Sequence, residues 1–341
     1  MALVEARELV KVFRRREREP GMAGAVRALV RRRSVEHIAV DHVELSIEEG
    51  EAVAYVGPNG AGKSTTVKLL SGILEPTSGE VRVGGLVPQR NRMAVAHDLG
   101  VLFGQRTQLW WDLPVSDSLG MLRDLYGVDR GTYARRMRRF DEVLQIAELM
   151  AVTGRKLSLG QRMRVDLAAA LIHGPRVLYL DEPTIGLDLS VKDRVRAFLR
   201  ELRDDGTTIM LTSHDLADIE DLCRRLVIID RGRIIFDGDL GAVKDEFARE
   251  RVLHLQTGSA VDAGAVRAAL SGATVEPDAA PDRLTVRFDR FALTAGHVVN
   301  AVGRLVDVVD FRLDEPGIED VIRRVYAGDI AFAGAGRGGT P

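Results

Sequence analysis

The sequence predicts an α/β fold built on a mainly parallel sheet. Three observations carry this. Short, wholly apolar runs such as Val177–Leu180 suit strands buried on both faces. Amphipathic helical stretches alternate with these runs. The glycine-rich segment GPNGAGKS, at 57–64, stands between an apolar strand and a helix. A length of 341 residues is enough for two domains and a sizeable core.

Read in order, the first 12 residues alternate as a strand does. Residues 14–36 break the pattern with eight Arg against three Glu, a local net charge of +5, and read as a basic insertion. Within it, Met22–Arg33 fits a short helix with a basic face, suited either to a membrane surface or to solvent. His37–Ile47 and Glu51–Val56 read as strands, and Gly62–Leu70 as a helix. Residues 113–150 are charged and helix-periodic, which marks a helical insertion. Helices follow at Arg162–His173, Val191–Arg203 and Leu216–Cys223, with strands at Val177–Leu180 and Thr207–Thr212. Leu226–Asp230 and Arg233–Phe236 read as a closing hairpin.

Near residue 246 the character changes. Strands are expected at Leu253–Gln256, Leu284–Phe288 and Val306–Arg312, and helices at Ala265–Leu270, His297–Leu305 and Ile318–Tyr326. The expected organisation is a first domain over 1–246, a small α/β (ferredoxin-like) domain over 247–330, and a glycine-rich disordered tail over 331–341. No repeat of 20–50 residues points to a solenoid or propeller.

Composition excludes several classes. With 48 Lys+Arg against 50 Asp+Glu, the net charge of −2 argues against a nucleic-acid partner. The single cysteine, Cys223, excludes an intrachain disulfide and any cysteine-rich metal centre built from this chain alone. Its apolar neighbours in DLCRRLVIID give it a packing role. No apolar run approaches the ~18–20 residues needed to span a bilayer. The N-terminus lacks the basic-then-apolar order of a signal peptide. A cytoplasmic chain is expected, reaching any membrane through a partner.

The chemistry starts at the glycine-rich loop, Gly57, Pro58, Asn59, Gly60, Ala61, Gly62, Lys63, Ser64 and Thr65. Gly60 and Gly62 let the backbone curl so that successive N–H groups point inward at phosphate oxygens. The helix that follows adds its N-terminal partial positive charge. Lys63 reaches the β- and γ-phosphates, and Ser64 offers a hydroxyl to Mg²⁺. Further on, the apolar strand of VLYLDE ends in two adjacent carboxylates. Successive side chains of a strand point to opposite faces, so Asp181 faces the metal and Glu182 the γ-phosphate and its attacking water.

LSLGQ at 157–161, followed by RMRVDLAAAL, resembles the LSGGQ signature of the ATP-binding cassette (ABC) ATPases. Ser158, Gly160 and Gln161 match, while Leu159 stands where that family usually has Gly. Other landmarks occur in order: Gln105 in LFGQ, Gly186-Leu187-Asp188, and His214 in LTSHD. Phe13 occupies the place of the aromatic that stacks on adenine. The resemblance covers about residues 3–240. It implies a P-loop NTPase fold with an ABC helical subdomain at about 106–172, and ATP and Mg²⁺ as cofactors. It implies Glu182, His214, Lys63 and Gln105 as catalytic residues, with Ser64, Gln105 and Asp181 around the metal. Ser158, Gly160, Gln161 and Asp188 would meet nucleotide bound by a second cassette, either another copy or a close paralogue.

The absence of spans in this sequence requires separate transmembrane permease subunits, so the chain is expected to sit peripherally on the inner face of the cell membrane. The adjacent Trp110 and Trp111 suit an anchor for a permease helix or, equally, core packing. The ending VDVVDFRLDEPGIEDVIRRVY is similar to extensions on type-2 ABC exporters, and with QLWWDLP it resembles a multidrug- or viologen-efflux subgroup. The implied function is an ATPase that powers export. A soluble non-transport ABC ATPase and an importer cassette stand as alternatives.

Overall fold

The computed structural model describes residues 2–16, 34–104, 107–213, 215–247 and 249–314. The chain divides into two compact units, one up to Gly238 and one starting at Asp239.

In the first unit, β1 (Ala2–Arg16), β2 (Ser34–Glu48) and β4 (Ser78–Val83) form an antiparallel sheet in the order β2-β1-β4. A second sheet has the order β5-β6-β7-β3-β8-β9. Its strands are β3 (Ala52–Val56), β5 (Leu99–Leu102), β6 (Val177–Asp181), β7 (Thr208–Thr212), β8 (Arg225–Asp230) and β9 (Arg233–Asp239). The pairs β5–β6, β6–β7, β7–β3 and β3–β8 are parallel. Every residue of β3 and β7 is buried, as helix-covered parallel strands require. One core joins Val4, Leu9 and Val43 of the antiparallel sheet to Tyr55 and Tyr179 of the parallel one, with Val67 and Leu70 from the intervening helix α1 (Lys63–Leu70).

The helices that follow are α2 (Arg92–Asp98), α3 (Val115–Leu125), α4 (Arg130–Leu144), α5 (Leu159–Leu171), α6 (Leu189–Asp204) and α7 (Leu216–Leu222). Four of them start at side-chain caps that satisfy otherwise unpaired backbone donors: Asp129 for α4, Ser158 for α5, Asp188 for α6 and Asp215 for α7. The helical insertion is thus α3 and α4, two helices separated by the turn at Gly127.

The second unit runs α8 (Leu240–Phe247), β10 (Glu250–Thr257), α9 (Ala263–Ala269), β11 (Ala273–Pro277), β12 (Arg283–Asp289), α10 (Ala295–Gly303) and β13 (Val308–Asp314). Its antiparallel sheet has the order β11-β12-β10-β13. Two βαβ halves with that order make a ferredoxin-like unit. Leu253, Leu255, Val286 and Phe288 point to one face and meet Val266, Val298 and Val302 of the helices. The alternate residue His254 pairs instead with Thr285 and Asp314 on the other face.

Two features differ from the sequence reading. The first strand does not stop where the basic residues begin. β1 and β2 continue in register through Arg14↔Glu36 and Arg16↔Ser34. An Arg14–Glu36 ion pair of 2.9 Å across the strands makes these charges compatible with a hairpin. The second unit also begins at Asp239, ahead of the change in character read near 246, so α8 belongs to it. The Met22–Arg33 and Ile318–Tyr326 segments and the 331–341 tail lie outside the described residues.

Phe288 is 2% exposed at the centre of the second core. Phe288→Ala should cost about 3–5 kcal/mol in the urea unfolding of that unit. A loss below about 1 kcal/mol would show that this core does not carry the unit's stability.

Candidate active site

The parallel sheet brings the chemical groups to one edge. The glycine-rich loop leaves the carboxyl end of β3 and enters α1. Two of its glycines are demanded by close approach. A Cβ on Gly57 would lie 2.4 Å from the Ile229 carbonyl oxygen. A Cβ on Gly62 would lie 2.4 Å from that of Ala39, and Gly62 has φ +113° besides. The loop is therefore pressed between β2 and β8, with Asn59 and Gly60 exposed at its tip. Ala61 N–H closes the turn on the Pro58 carbonyl at 3.1 Å. Thr65 is partly exposed in the first turn of α1, and Thr66 beneath it bonds Tyr55 at 3.2 Å, anchoring the helix to β3.

Lys63 folds back over its own loop. Its Nζ donates to the Gly57 carbonyl at 2.5 Å and to that of Pro58 at 3.2 Å. Burial lowers its affinity for a proton, and the nearby charges of Glu182 and Asp181 oppose that shift. The Ser64 hydroxyl donates to Asp181 Oδ2 at 3.4 Å. The other oxygen of Asp181 accepts the Thr212 hydroxyl from the end of β7. Glu182 N–H donates to the Thr212 carbonyl at 2.9 Å, and Glu182 has φ +57°. That left-handed turn, costly for a residue with a side chain, takes the chain sharply out of the sheet just after Asp181. Lys63, Ser64, Asp181, Glu182 and Thr212 are thus brought together.

Gln105 and His214 lie outside the described residues. Their neighbours are informative. A Cβ on Gly104 would sit 3.0 Å from the Asp181 carbonyl, so the chain entering Gln105 passes against the end of β6. Ser213 and Asp215 flank His214 at the end of β7.

The signature forms its own cluster. Ser158 Oγ accepts from Gln161 N–H at 3.2 Å, while Gln161 Oε1 accepts from Ser158 N–H at 2.9 Å. This reciprocal cap leaves the Ser158 hydroxyl proton available to a ligand. A Cβ on Gly160 would meet the Gly186 carbonyl at 2.4 Å, so the signature rests on the turn before Asp188. Leu159, 49% exposed, lies over Gly186. Asp188 accepts from Val191 N–H and the Ser190 hydroxyl, which hold its carboxyl below the usual range.

Phe13 is 38% exposed and stacks under Lys11 at 5.4 Å, so it is not core. It pairs with His37, two residues from the Ala39 carbonyl that abuts Gly62. Trp110 and Trp111 are 40% and 54% exposed, and the Arg162 guanidinium covers Trp111 at 4.9 Å. Cys223 is buried and free, and burial pushes its thiol far up, away from chemistry.

Two residues escaped the sequence reading. Thr212 orients Asp181. Asp166, 4% exposed on α5, accepts from the Thr107 hydroxyl at 2.8 Å and from Gln108 N–H at 2.9 Å. It ties the helix of the signature to the segment after Gln105. Its signal was present in RMRVDLAAAL, a lone carboxylate inside an apolar helical run.

A phosphate-cradling loop whose serine meets a strand-end carboxylate is the working part of a P-loop nucleoside triphosphatase. Comparison with known proteins narrows the class. Residues 40–185 match the family model described as ABC transporter. Over 298 residues the chain is 35% identical to a daunorubicin resistance ATP-binding protein of Streptomyces coeruleorubidus, covering 85% of this chain and 92% of that protein. Over 202 residues it is 34% identical to the ABC transporter ATP-binding protein NatA of Bacillus subtilis, covering 59% of this chain and 82% of the relative. The fold is shared with the solved ATP-binding subunit of an ABC transporter, at a TM-score of 0.61 and 24% identity over 72% of this chain and 93% of that one. The chain belongs to the ABC transporter family, among its ATPases.

Burial pushes the Asp166 carboxyl up to about 6, against the opposing pull of its two hydrogen bonds and Arg162. A carboxyl raised above its unfolded value stabilises fully below that value and loses the contribution as pH rises through about 6. Asp166→Asn should therefore gain on the parent by about 1 kcal/mol of unfolding free energy between pH 5 and 7.5. A pH-independent difference between the two proteins would contradict the raised value.

Proposed function

We propose that the chain is the ATP-hydrolysing subunit of a type-2 exporter, working with separate permease subunits and a second cassette. The observation that carries the export reading is the length of the match to the daunorubicin resistance protein. An alignment of 298 residues does not fit within residues 1–238, so it includes part of the ferredoxin-like unit. The likeness thus extends past the parts common to all cassettes.

The site residues support the following steps. Lys63 exchanges the Gly57 and Pro58 carbonyls for the β- and γ-phosphate oxygens of ATP, while the loop N–H groups and the start of α1 bind the rest of the triphosphate. Phe13 offers its exposed face to the adenine. Ser64 and Asp181, together with Gln105, would hold Mg²⁺. The hydroxyl and carboxylate oxygens of Ser64 and Asp181 already face each other, and such hard donors suit that ion. When bound, Mg²⁺ neutralises charge on the β- and γ-phosphates. Glu182 polarises the attacking water, and His214 steadies the γ-phosphate. Ser158, Gly160 and Gln161 of a second cassette close the site from the other side, with Asp188 at that junction.

Among the described residues no helix is long and apolar enough to cross a membrane. Attachment to the inner face of the membrane then runs through the permeases, with Trp110 and Trp111 as exposed aromatic anchors beside the Gln105 segment. The closing and reopening of two cassettes would move that segment and with it the permease.

Glu182→Gln should bind ATP within about three-fold of the parent and lose roughly 100-fold or more in turnover. Phosphate release by the purified chain measures this, and hydrolysis at the parental rate removes Glu182 from its role. For transport, the tagged chain pulled from detergent-solubilised membranes should bring one or two polytopic proteins in stoichiometric amount. Trp111→Ala should weaken that recovery. Capture of soluble partners, ribosomes or nucleic acid alone would leave an ATPase outside transport, and a solute-binding protein in the complex would make it an importer.

A further inference from the structure

Behind the catalytic edge lies a buried polar hub that none of these steps uses. Asp218, on α7, is 3% exposed. Its Oδ2 accepts the Thr184 hydroxyl at 2.5 Å and the Ser213 hydroxyl at 3.2 Å. Its Oδ1 accepts Arg196 Nε at 2.6 Å from α6. Thr184 and Ser213 are themselves 3% and 6% exposed. Arg196 also pairs with Asp215 at 3.1 Å and with Asp193 at 3.3 Å, and Lys192 pairs with Asp215 at 2.8 Å.

The two hydroxyl donors hold particular places in the chain. Thr184 lies two residues past Glu182. Ser213 immediately precedes His214; its hydroxyl accepts Asp215 N–H at 3.0 Å and shares its proton between Asp218 Oδ2 and the Asp215 carbonyl, each at 3.2 Å, bracing the residue on the other side. One carboxylate oxygen therefore grips the chain leaving the proposed base and the chain entering the proposed switch histidine. On the sheet side Thr212 also joins the same two segments, through Asp181 and Glu182.

We propose that Asp218 is a positioning residue for ATP hydrolysis, which holds Thr184, two residues past Glu182, and Ser213, immediately before His214, at one fixed separation. The proposal rests on the roles assigned above to Glu182 and His214. The physical argument is one of cost. A buried ion pair with three satisfied donors adds little net stability over an apolar cluster of equal volume. What it adds is geometry, because Thr184 and Arg196 each have one place at the carboxylate, Ser213 is held between it and the Asp215 carbonyl, and a half-satisfied hub is strongly disfavoured. Geometry matters at this edge, since a misplacement of about 1 Å in reacting groups costs on the order of 100-fold in rate.

The test uses the full chain with ATP and Mg²⁺. Thr184→Val and Ser213→Ala each delete one arm, and Asp218→Asn removes the charge at constant shape. Turnover is expressed per site that binds a fluorescent ATP analogue, so unfolded protein does not count. We expect Thr184→Val and Ser213→Ala each to lower kcat by about five- to ten-fold with KM for ATP within about two-fold. Thr184→Val added to Asp218→Asn should cost nothing beyond Asp218→Asn alone, since both act through one carboxylate. Asp193→Asn, which removes an exposed arm of Arg196, should leave kcat within about two-fold. Should Asp218→Asn not fold, the two hydroxyl variants decide. Parental kcat per binding site in both would overturn the proposal, as would strictly additive losses in the double variant. Glu182→Gln run alongside separates the two claims. If it is inactive while the hydroxyl variants are parental, only the positioning role of Asp218 fails. If it turns over normally, the assignment of the base fails whatever the others do.

Discussion

The pairing of β6 with β7 sets the site. Asp181 and Thr212 are register partners at the carboxyl ends of two buried parallel strands. From that one junction the Thr212 hydroxyl reaches the Asp181 carboxylate, and the Thr212 carbonyl takes the Glu182 N–H. Asp181 then meets Ser64 of the phosphate loop, which is itself clamped by backbone approaches to β2 and β8. A shift of either strand by one residue would turn Asp181 to the opposite face and separate it from Ser64. The apolar content of β3, β6 and β7, buried along nearly their whole length, is what makes such a shift too costly to occur.

Charge at this edge is arranged to await phosphate. Lys63 sits partly desolvated beside two carboxylates, its ammonium satisfied for the moment by two backbone carbonyls. Those carbonyls are neutral acceptors, whereas phosphate oxygens carry negative charge and add a coulombic attraction to the ammonium. In the proposed function, phosphate replaces these local bonds with stronger ones.

Much of the site was legible because its requirements are local. A glycine is recognisable where the backbone must press against a neighbouring carbonyl, as at Gly57 and Gly62, and the Asp181–Glu182 pair is announced by the apolar run before it. Gln161, three residues past Ser158, announces the reciprocal cap of α5 in the same way. Thr212 and Asp218 were not legible, and Asp166 showed only as a lone carboxylate in an apolar helical run without its partners, because each acts across the fold on a segment tens of residues away. Spacing carries no record of such a contact. The continuation of β1 through Arg14 was hidden for a related reason: a run of arginine reads as loop until the opposing glutamate is placed across from it. In the ferredoxin-like unit, the pattern gave β10, β12 and β13, while β11 and the sheet order depend on tertiary pairing.

The most direct test of this account is the Mg²⁺ activation curve of ATP hydrolysis in Thr212→Val, which removes one hydroxyl and keeps shape and strand preference. If the Asp181–Thr212 junction sets the site, turnover at saturating Mg²⁺ and ATP should fall by about ten-fold, and half-activation should move to higher Mg²⁺. A curve that superimposes on the parent's would contradict it.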